Sequence, residues 1–176
     1  RLRCDWSSDV CSSDLIDTAG NIIGRRSGSD DSLPAIAMGS HTDTVPEGGK
    51  YDGALGVMAA IEVIRTLEEQ GHRTRHPLEV IDFTNEEGTR FHRWLVGSRS
   101  MSGLLEQEDL DAEDDDGFGL GPCLADIGGD ISRIEEAVRK PGELAAYFEL
   151  HIEQGPYLDR SGTPIGVVTG ITGRAV

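Results

Sequence analysis

The chain has 176 residues, enough for one domain of ordinary size. It carries 16 Lys and Arg against 32 Asp and Glu, and the formal net charge of −16 argues against nucleic acid and anionic membrane as partners, since both demand clustered positive charge. Hydrophobic residues make up 37%, glycines number 23, and no apolar run reaches the ~18 residues of a membrane span, so the composition is that of a soluble globular protein rich in tight turns.

Arg1–Leu15 reads RLRCDWSSDVCSSDL, with no apolar period and no signal-peptide core. Cys4–Leu15 resembles the conceptual translation of a sequencing-library adapter. Residues 1–15 are therefore set apart as an artefact, a natural Ser-rich tail being the other reading, and residues 16–176 are taken as the folded unit. Without Cys4 and Cys11 only Cys123 remains, so there is no disulfide framework, and a single Cys with no export signal predicts a reducing, cytoplasmic compartment.

Asp17–Gly24 predicts a turn and a short strand, and the apolar run Leu33–Gly39 a buried strand. Ala54–Gln70 is the clearest helix, with apolar residues at 57, 61, 64 and 67 and Gly71 as its stop. After Pro77, LEVIDFT predicts a second buried strand ending at Asn85. Strand, helix, strand in that order predicts an α/β layer fold with a parallel sheet. Glu106–Asp116 holds eight carboxylates in eleven residues. It fails the EF-hand spacing, because Asp116 stands where Gly is required and Pro122 where the closing Glu is required, and it reads as a solvated acidic loop. Ile131–Lys140 predicts a short helix. Ala146–Glu153 alternates like a strand, with Phe148, Leu150 and Ile152 on one face and Tyr147, Glu149, His151 and Glu153 on the other. Ile165–Thr169 predicts one more strand. His72, His76 and His92 lie in polar stretches and are expected at the surface.

Three polar clusters sit at or near predicted strand ends, where open α/β sheets bind ligands. In GSHTDTVPEGGKYDGALGV, residues 39–57, His41 and Asp43 share a face in extended backbone and Asp52 precedes the long helix. An imidazole and carboxylates so placed can bind a divalent metal, and Asp43 can alternatively fix the tautomer of His41. In FTNEEGTRF, residues 83–91, the adjacent carboxylates Glu86 and Glu87 repel, which suits separate tasks: one holding a cation, the other serving as general base. In ELHIEQGP, residues 149–156, His151 lies on the polar face of its predicted strand. Taken singly, each cluster is also explained by an ordinary surface. The Gly-rich run 48–56 lacks the phosphate-loop pattern, and Cys123 has no partner for nucleophilic work.

Together, GSHTDTVPEGGKYDGALGV, TNEEGTRF, LVGSRSMSG and ELHIEQGP, in this order, resemble the hydantoinase/carbamoylase amidases, a branch of the dinuclear metallopeptidases and aminoacylases that includes N-carbamoyl-L-amino acid hydrolase, allantoate amidohydrolase and β-ureidopropionase. The resemblance runs from about Asp17 to Gly173 and implies a three-layer α/β sandwich with a mixed, mostly parallel sheet of the zinc-exopeptidase type. It implies two divalent ions, Zn²⁺ first with Mn²⁺, Co²⁺ or Ni²⁺ as alternatives. His41 and His151 would ligate one ion, Glu87 the other, and Asp52 both. Glu86 would be the general base, Asp43 would orient His41, and Gln154 would help hold a small ureido or amide substrate. The chain ends where such proteins insert a lid and dimerisation domain, so the resemblance implies a homodimeric parent whose final ligand histidine and lid residues are missing here. The 176 residues alone are then expected to bind metal weakly and show no useful turnover. Two other readings stay open: a non-catalytic acidic cation-binding module, and a dipeptidase or aminoacylase of the same superfamily.

Overall fold

A computed structural model describes residues 13–171. Five strands form one sheet in the order β1-β2-β4-β3-β5, comprising β1 Ser13–Ile16, β2 Ile22–Arg26, β3 Ala35–His41, β4 Leu78–Phe83 and β5 Leu144–Phe148. β1 and β2 run antiparallel, as do β2 and β4, while β3 is parallel to both β4 and β5. The sheet is mixed, as expected, with its pairings divided equally between the two senses rather than mostly parallel. The parallel part, β4-β3-β5, is the part that matters for the site. Residues 1–12 of the segment set apart by sequence lie outside the described residues, and its last three belong to β1, which pairs through main-chain groups from Ser13↔Arg25 to Ile16↔Ile22.

β4 is flanked on both edges and covered on both faces, so Leu78, Glu79, Val80 and Ile81 are all buried. Its alternation sorts them. Leu78 and Val80 meet Ala60 and Ile64 of α1, Ala54–Glu69, beside Ile36 and Met38 of β3. Ile81 faces the other way and packs with Ile23, Ala37 and Met101, beside Phe83 and Leu144. On that second face lie α2 Val96–Met101, α3 Gln107–Leu110, α4 Leu120–Ile127 and a 3₁₀ segment, Ile131–Ala137. Phe91, Val96, Ala112, Leu120 and Leu124 form a further apolar cluster there, with Cys123 against it. Glu79 is the fully buried charge of β4. It points into the second layer and is neutralised by Arg25 at 2.6 Å and Arg139 at 3.0 Å. Among the described residues, no helix is long and apolar enough to cross a membrane.

Four expectations are corrected. β5 stops at Phe148, not Glu153, because its ladder with β3 ends at Met38↔Phe148. His151 therefore stands in the loop beyond the strand. Ile165–Thr169 forms no strand: no neighbour offers it an edge, and Ile165, Val167 and Val168 are exposed. The acidic segment is built rather than merely solvated. Asp109 is buried in a two-bond pair with Arg99 at 2.8 and 2.7 Å, and Asp114 accepts from Arg90 at 2.9 Å and from the Phe118 N–H at 2.8 Å. His76 is half-buried, with Nδ1 2.7 Å from the Pro34 carbonyl.

Candidate functional site

Because β4, β3 and β5 are parallel neighbours, their carboxyl ends lie at one edge of the sheet, and every residue singled out from the sequence follows one of those ends or opens the helix beside them. His41 is the last residue of β3. Asp52 precedes α1, Glu86 and Glu87 follow β4, and His151 and Gln154 follow β5.

His41 is almost fully enclosed, its side chain 3% exposed. Its Nδ1 lies 2.9 Å from the Asp43 main-chain carbonyl. A carbonyl only accepts, so Nδ1 carries the hydrogen and the neutral ring keeps its lone pair on Nε2. That nitrogen is 3.5 Å from Glu86 Oε2. His151 repeats the device: Nδ1 lies 2.9 Å from the Ile152 carbonyl, and Nε2 lies 3.2 Å from Asp52 Oδ1. The two rings sit 6.0 Å apart, centroid to centroid. Gly53 lets the start of α1 press against the His41 ring. It has φ +65°, and a Cβ there would run into the His41 ring.

Asp43 meets His41 Nδ1 through its main-chain oxygen, not through the carboxylate. Its carboxylate stands 3.6 Å from Nδ1 and instead accepts the N–H groups of Glu86 and Glu87, each at 3.0 Å. One residue thus ties the end of β3 to the Glu pair beyond β4. The pair is also held from below. Asn85 adopts φ +47°, which Asn tolerates, and Leu95 donates to the Glu86 carbonyl at 2.8 Å. Burial pushes the Glu86 carboxyl above the usual carboxylate range; Glu87, Asp43 and Glu149 add repulsion, and His41 opposes the shift.

Among the described residues, two groups each bring their ligand atoms within 4.8 Å of one another: His41, Asp52 and His151, and His41, Glu86 and Glu87. The donor set of fixed imidazole lone pairs and crowded carboxylates suits a borderline divalent ion, which would relieve the repulsion around Glu86. The groups share His41, whereas the family resemblance makes Asp52 the shared residue. The Asp52 carboxylate is turned toward His151 and accepts from Gln154 Nε2 at 3.3 and 3.1 Å. Gln154 is thus bound to Asp52. Glu153 caps the next helix, α5 Tyr157–Ser161, accepting from Tyr157 and Leu158 N–H at 3.0 and 2.8 Å.

A cavity of about 540 Å³ opens beside His41 and Glu86, floored by Ile81, Phe83, Met101 and Leu144. Sequence reasoning missed two supports of this region. Asn21, in a turn with no chemical pattern, is wholly buried and links Asp17, Thr84 and Gly97. Ser40 and Glu149 form the other support, and although Glu149 lies on the polar face of its predicted strand, only the spatial relation of the two gives them meaning.

Comparison with known proteins adds the following. The profile described as peptidase family M20/M25/M40 matches residues 37–172. N-carbamoyl-L-amino acid amidohydrolase of Geobacillus stearothermophilus is 48% identical over 157 residues, covering 89% of this chain and 38% of that protein. Allantoate deiminase of Arabidopsis thaliana is 37% identical over 173 residues, covering 96% of this chain and 33% of that protein. The crystal structure of a hydantoinase/carbamoylase family amidase from Burkholderia ambifaria superposes with a TM-score of 0.79 at 41% identity, over 90% of this chain and 38% of that one. The chain therefore spans 33–38% of the length of these relatives.

Proposed function

Because the chain belongs to peptidase family M20/M25/M40, we propose that it is part of a metal-dependent hydrolase of linear carbon–nitrogen bonds, acting on N-carbamoyl amino acids or related ureido compounds. The observation that supports this most directly is the convergence of two imidazoles, each with Nδ1 against a main-chain carbonyl and Nε2 facing a carboxylate, and a pair of carboxylates at three neighbouring strand ends. The names of relatives such as the Geobacillus stearothermophilus and Arabidopsis thaliana proteins supply the substrate class.

In this reading His41, His151 and Asp52 would hold one divalent ion and Glu87 a second, Asp52 being the shared residue that the family resemblance implies, with Zn²⁺ the first choice and Mn²⁺, Co²⁺ or Ni²⁺ alternatives. Such ions polarise a carbonyl and lower the pKa of water toward ~7. Glu86 takes the proton of the attacking water on its carboxylate and returns it to the leaving nitrogen. Its position beside His41 Nε2, and the upward push that burial exerts on its carboxyl, suit a base that must hold that proton between the two steps. Asp43 positions the Glu pair through their N–H groups, and Gln154 holds Asp52.

The test is a full-length protein containing this chain, loaded with Zn²⁺ or Mn²⁺ and given N-carbamoyl amino acids and allantoate. Glu86→Gln should abolish turnover while leaving bound metal unchanged; turnover surviving in that variant would refute the assignment. A substrate panel that included dipeptides and N-acetyl amino acids and found only those cleaved would transfer the reading to the peptidase side of the family.

A further inference from the structure

The backbone ladder between β3 and β5 ends at Met38↔Phe148, yet the two histidines it must hold in register lie beyond that point, at 41 and 151. A side-chain bridge continues where the ladder stops. The hydroxyl of Ser40, which is 1% exposed, donates to Glu149 Oε1 at 2.6 Å, and the Tyr147 hydroxyl stands 2.9 Å from Glu149 Oε2. Burial and then the Glu149 carboxylate hold the Tyr147 phenol well above its usual range, so it stays protonated and donates. Ser40 adjoins His41, and Glu149 lies two residues before His151. The first turn of α1 seals the joint: a Cβ on Gly56 would lie 2.5 Å from the Leu150 carbonyl and 2.7 Å from Ser40 Cβ, so only Gly lets the helix press this close.

Building on the metal-centre reading above, we propose that Ser40 and Glu149 are positioning residues, a strap that sets the distance between His41 and His151 and hence the affinity of the ion they share. Neither belongs to the groups of ligand atoms around His41; Glu149 instead meets the Ser40 hydroxyl and the Tyr147 hydroxyl, which also lies 3.1 Å from the Gly39 carbonyl. The strap acts before any ion binds, by limiting the freedom of residues 149–154, which have no backbone ladder of their own.

The test, made in a full-length protein containing this chain, compares Ser40→Ala, Glu149→Ala, Glu149→Gln and the double variant Ser40→Ala/Glu149→Ala with the unmodified protein. Zinc dissociation constants come from competition with a chromophoric chelator. Each alanine variant should bind zinc about tenfold more weakly, the range seen when partners of metal ligands are removed. The double variant should be no weaker than Glu149→Ala alone, because Ser40→Ala removes only a bond that Glu149→Ala has already removed. Glu149→Gln should stay near the unmodified value, since its amide oxygen still accepts from Ser40. In the metal-free protein, amide hydrogen exchange across residues 149–154 should accelerate at least tenfold in the alanine variants, while β4 and the centre of α1 stay protected. Unchanged exchange in that segment, or additive losses in the double variant, overturns the strap. If His41→Ala and His151→Ala bind zinc as well as the unmodified protein, the metal-centre reading falls instead, and hydrogen exchange alone decides the strap.

Discussion

Asn21 offers the sharpest test of how the Glu pair is supported. Its side chain is wholly buried and makes three bonds: Nδ2 donates to Asp17 Oδ2 at 2.8 Å and to the Gly97 carbonyl at 3.2 Å, and Oδ1 accepts the Thr84 N–H at 3.0 Å. Asn21→Ala does not cost three full bonds. The Gly97 carbonyl keeps the Ser100 hydroxyl at 2.6 Å, so it is not stranded. Thr84 N–H loses its partner in the interior, a penalty of about 1–3 kcal/mol. Asp17 loses one bond to a charged oxygen, worth about 1.5–3 kcal/mol when buried and about half that where water can reach it. The sum is about 3 kcal/mol, a large share of the 5–15 kcal/mol typical of a domain. Urea unfolding followed by circular dichroism should show that loss with an unchanged denaturant slope. Asn21→Asp should be worse at neutral pH, since it sets a second carboxylate against Asp17. The folded-state pKa of that new carboxyl is raised, so the destabilisation holds above the folded value and fades as pH falls through it. A loss under about 1 kcal/mol for Asn21→Ala, or an Asn21→Asp variant indifferent to pH, would refute this account of the junction.

Three further outcomes are expected. Gly53→Ala should cost about 1–2 kcal/mol from its φ of +65° alone and more from contact with the His41 ring; thermal unfolding and zinc titration should both register it, whereas Ala at Gly71, with φ +66° and open space around it, should lower only the melting temperature. Asp109→Asn should remove about 2–3 kcal/mol at pH 7, because burial opposes the charge but the Arg99 bonds and the Glu106 N–H outweigh it and hold the Asp109 carboxyl below its usual range. A depressed carboxyl contributes fully above its unfolded value, near pH 4, and progressively less as pH falls through the folded value, so the variant's stability curve should lack that part of the acid limb. Ile64→Ala, at the fully buried centre of α1, should cost about 2–5 kcal/mol, and a loss of a few tenths would mean that α1 does not carry the first core layer.

The elements legible from sequence are those whose pattern is local. The helix at 54–69 shows its face in its own spacing, with Val57, Ala60 and Ile64 turned inward. The runs that became β3 and β4 are apolar because both faces are covered, and polar residues follow them at once. Where local pattern and global pairing part, the expectation failed. Residues 149–153 alternate as well as β5 does, but the ladder with β3 ends at Met38↔Phe148 although β3 itself runs on to His41, and alternation alone does not show where pairing stops. Ile165–Thr169 has strand composition and no edge beside it. The acidic run looked solvated because its counter-charges, Arg99 and Arg90, lie outside it in sequence.

What the amino-acid order determined by itself was the inventory of the site: which imidazoles and carboxylates follow which strand ends, and their likeness to a family of amidases. What only the folded chain decided was orientation. Nothing in the order of residues says that Asp43 holds His41 through its main chain and the Glu pair through its carboxylate, that Gln154 holds Asp52, or that Ser40 meets Glu149 across 109 positions. Those facts depend on pairing β3 with both β4 and β5, a long-range choice made by the burial of a shared core, and hydrogen-bond geometry follows only once that choice is fixed.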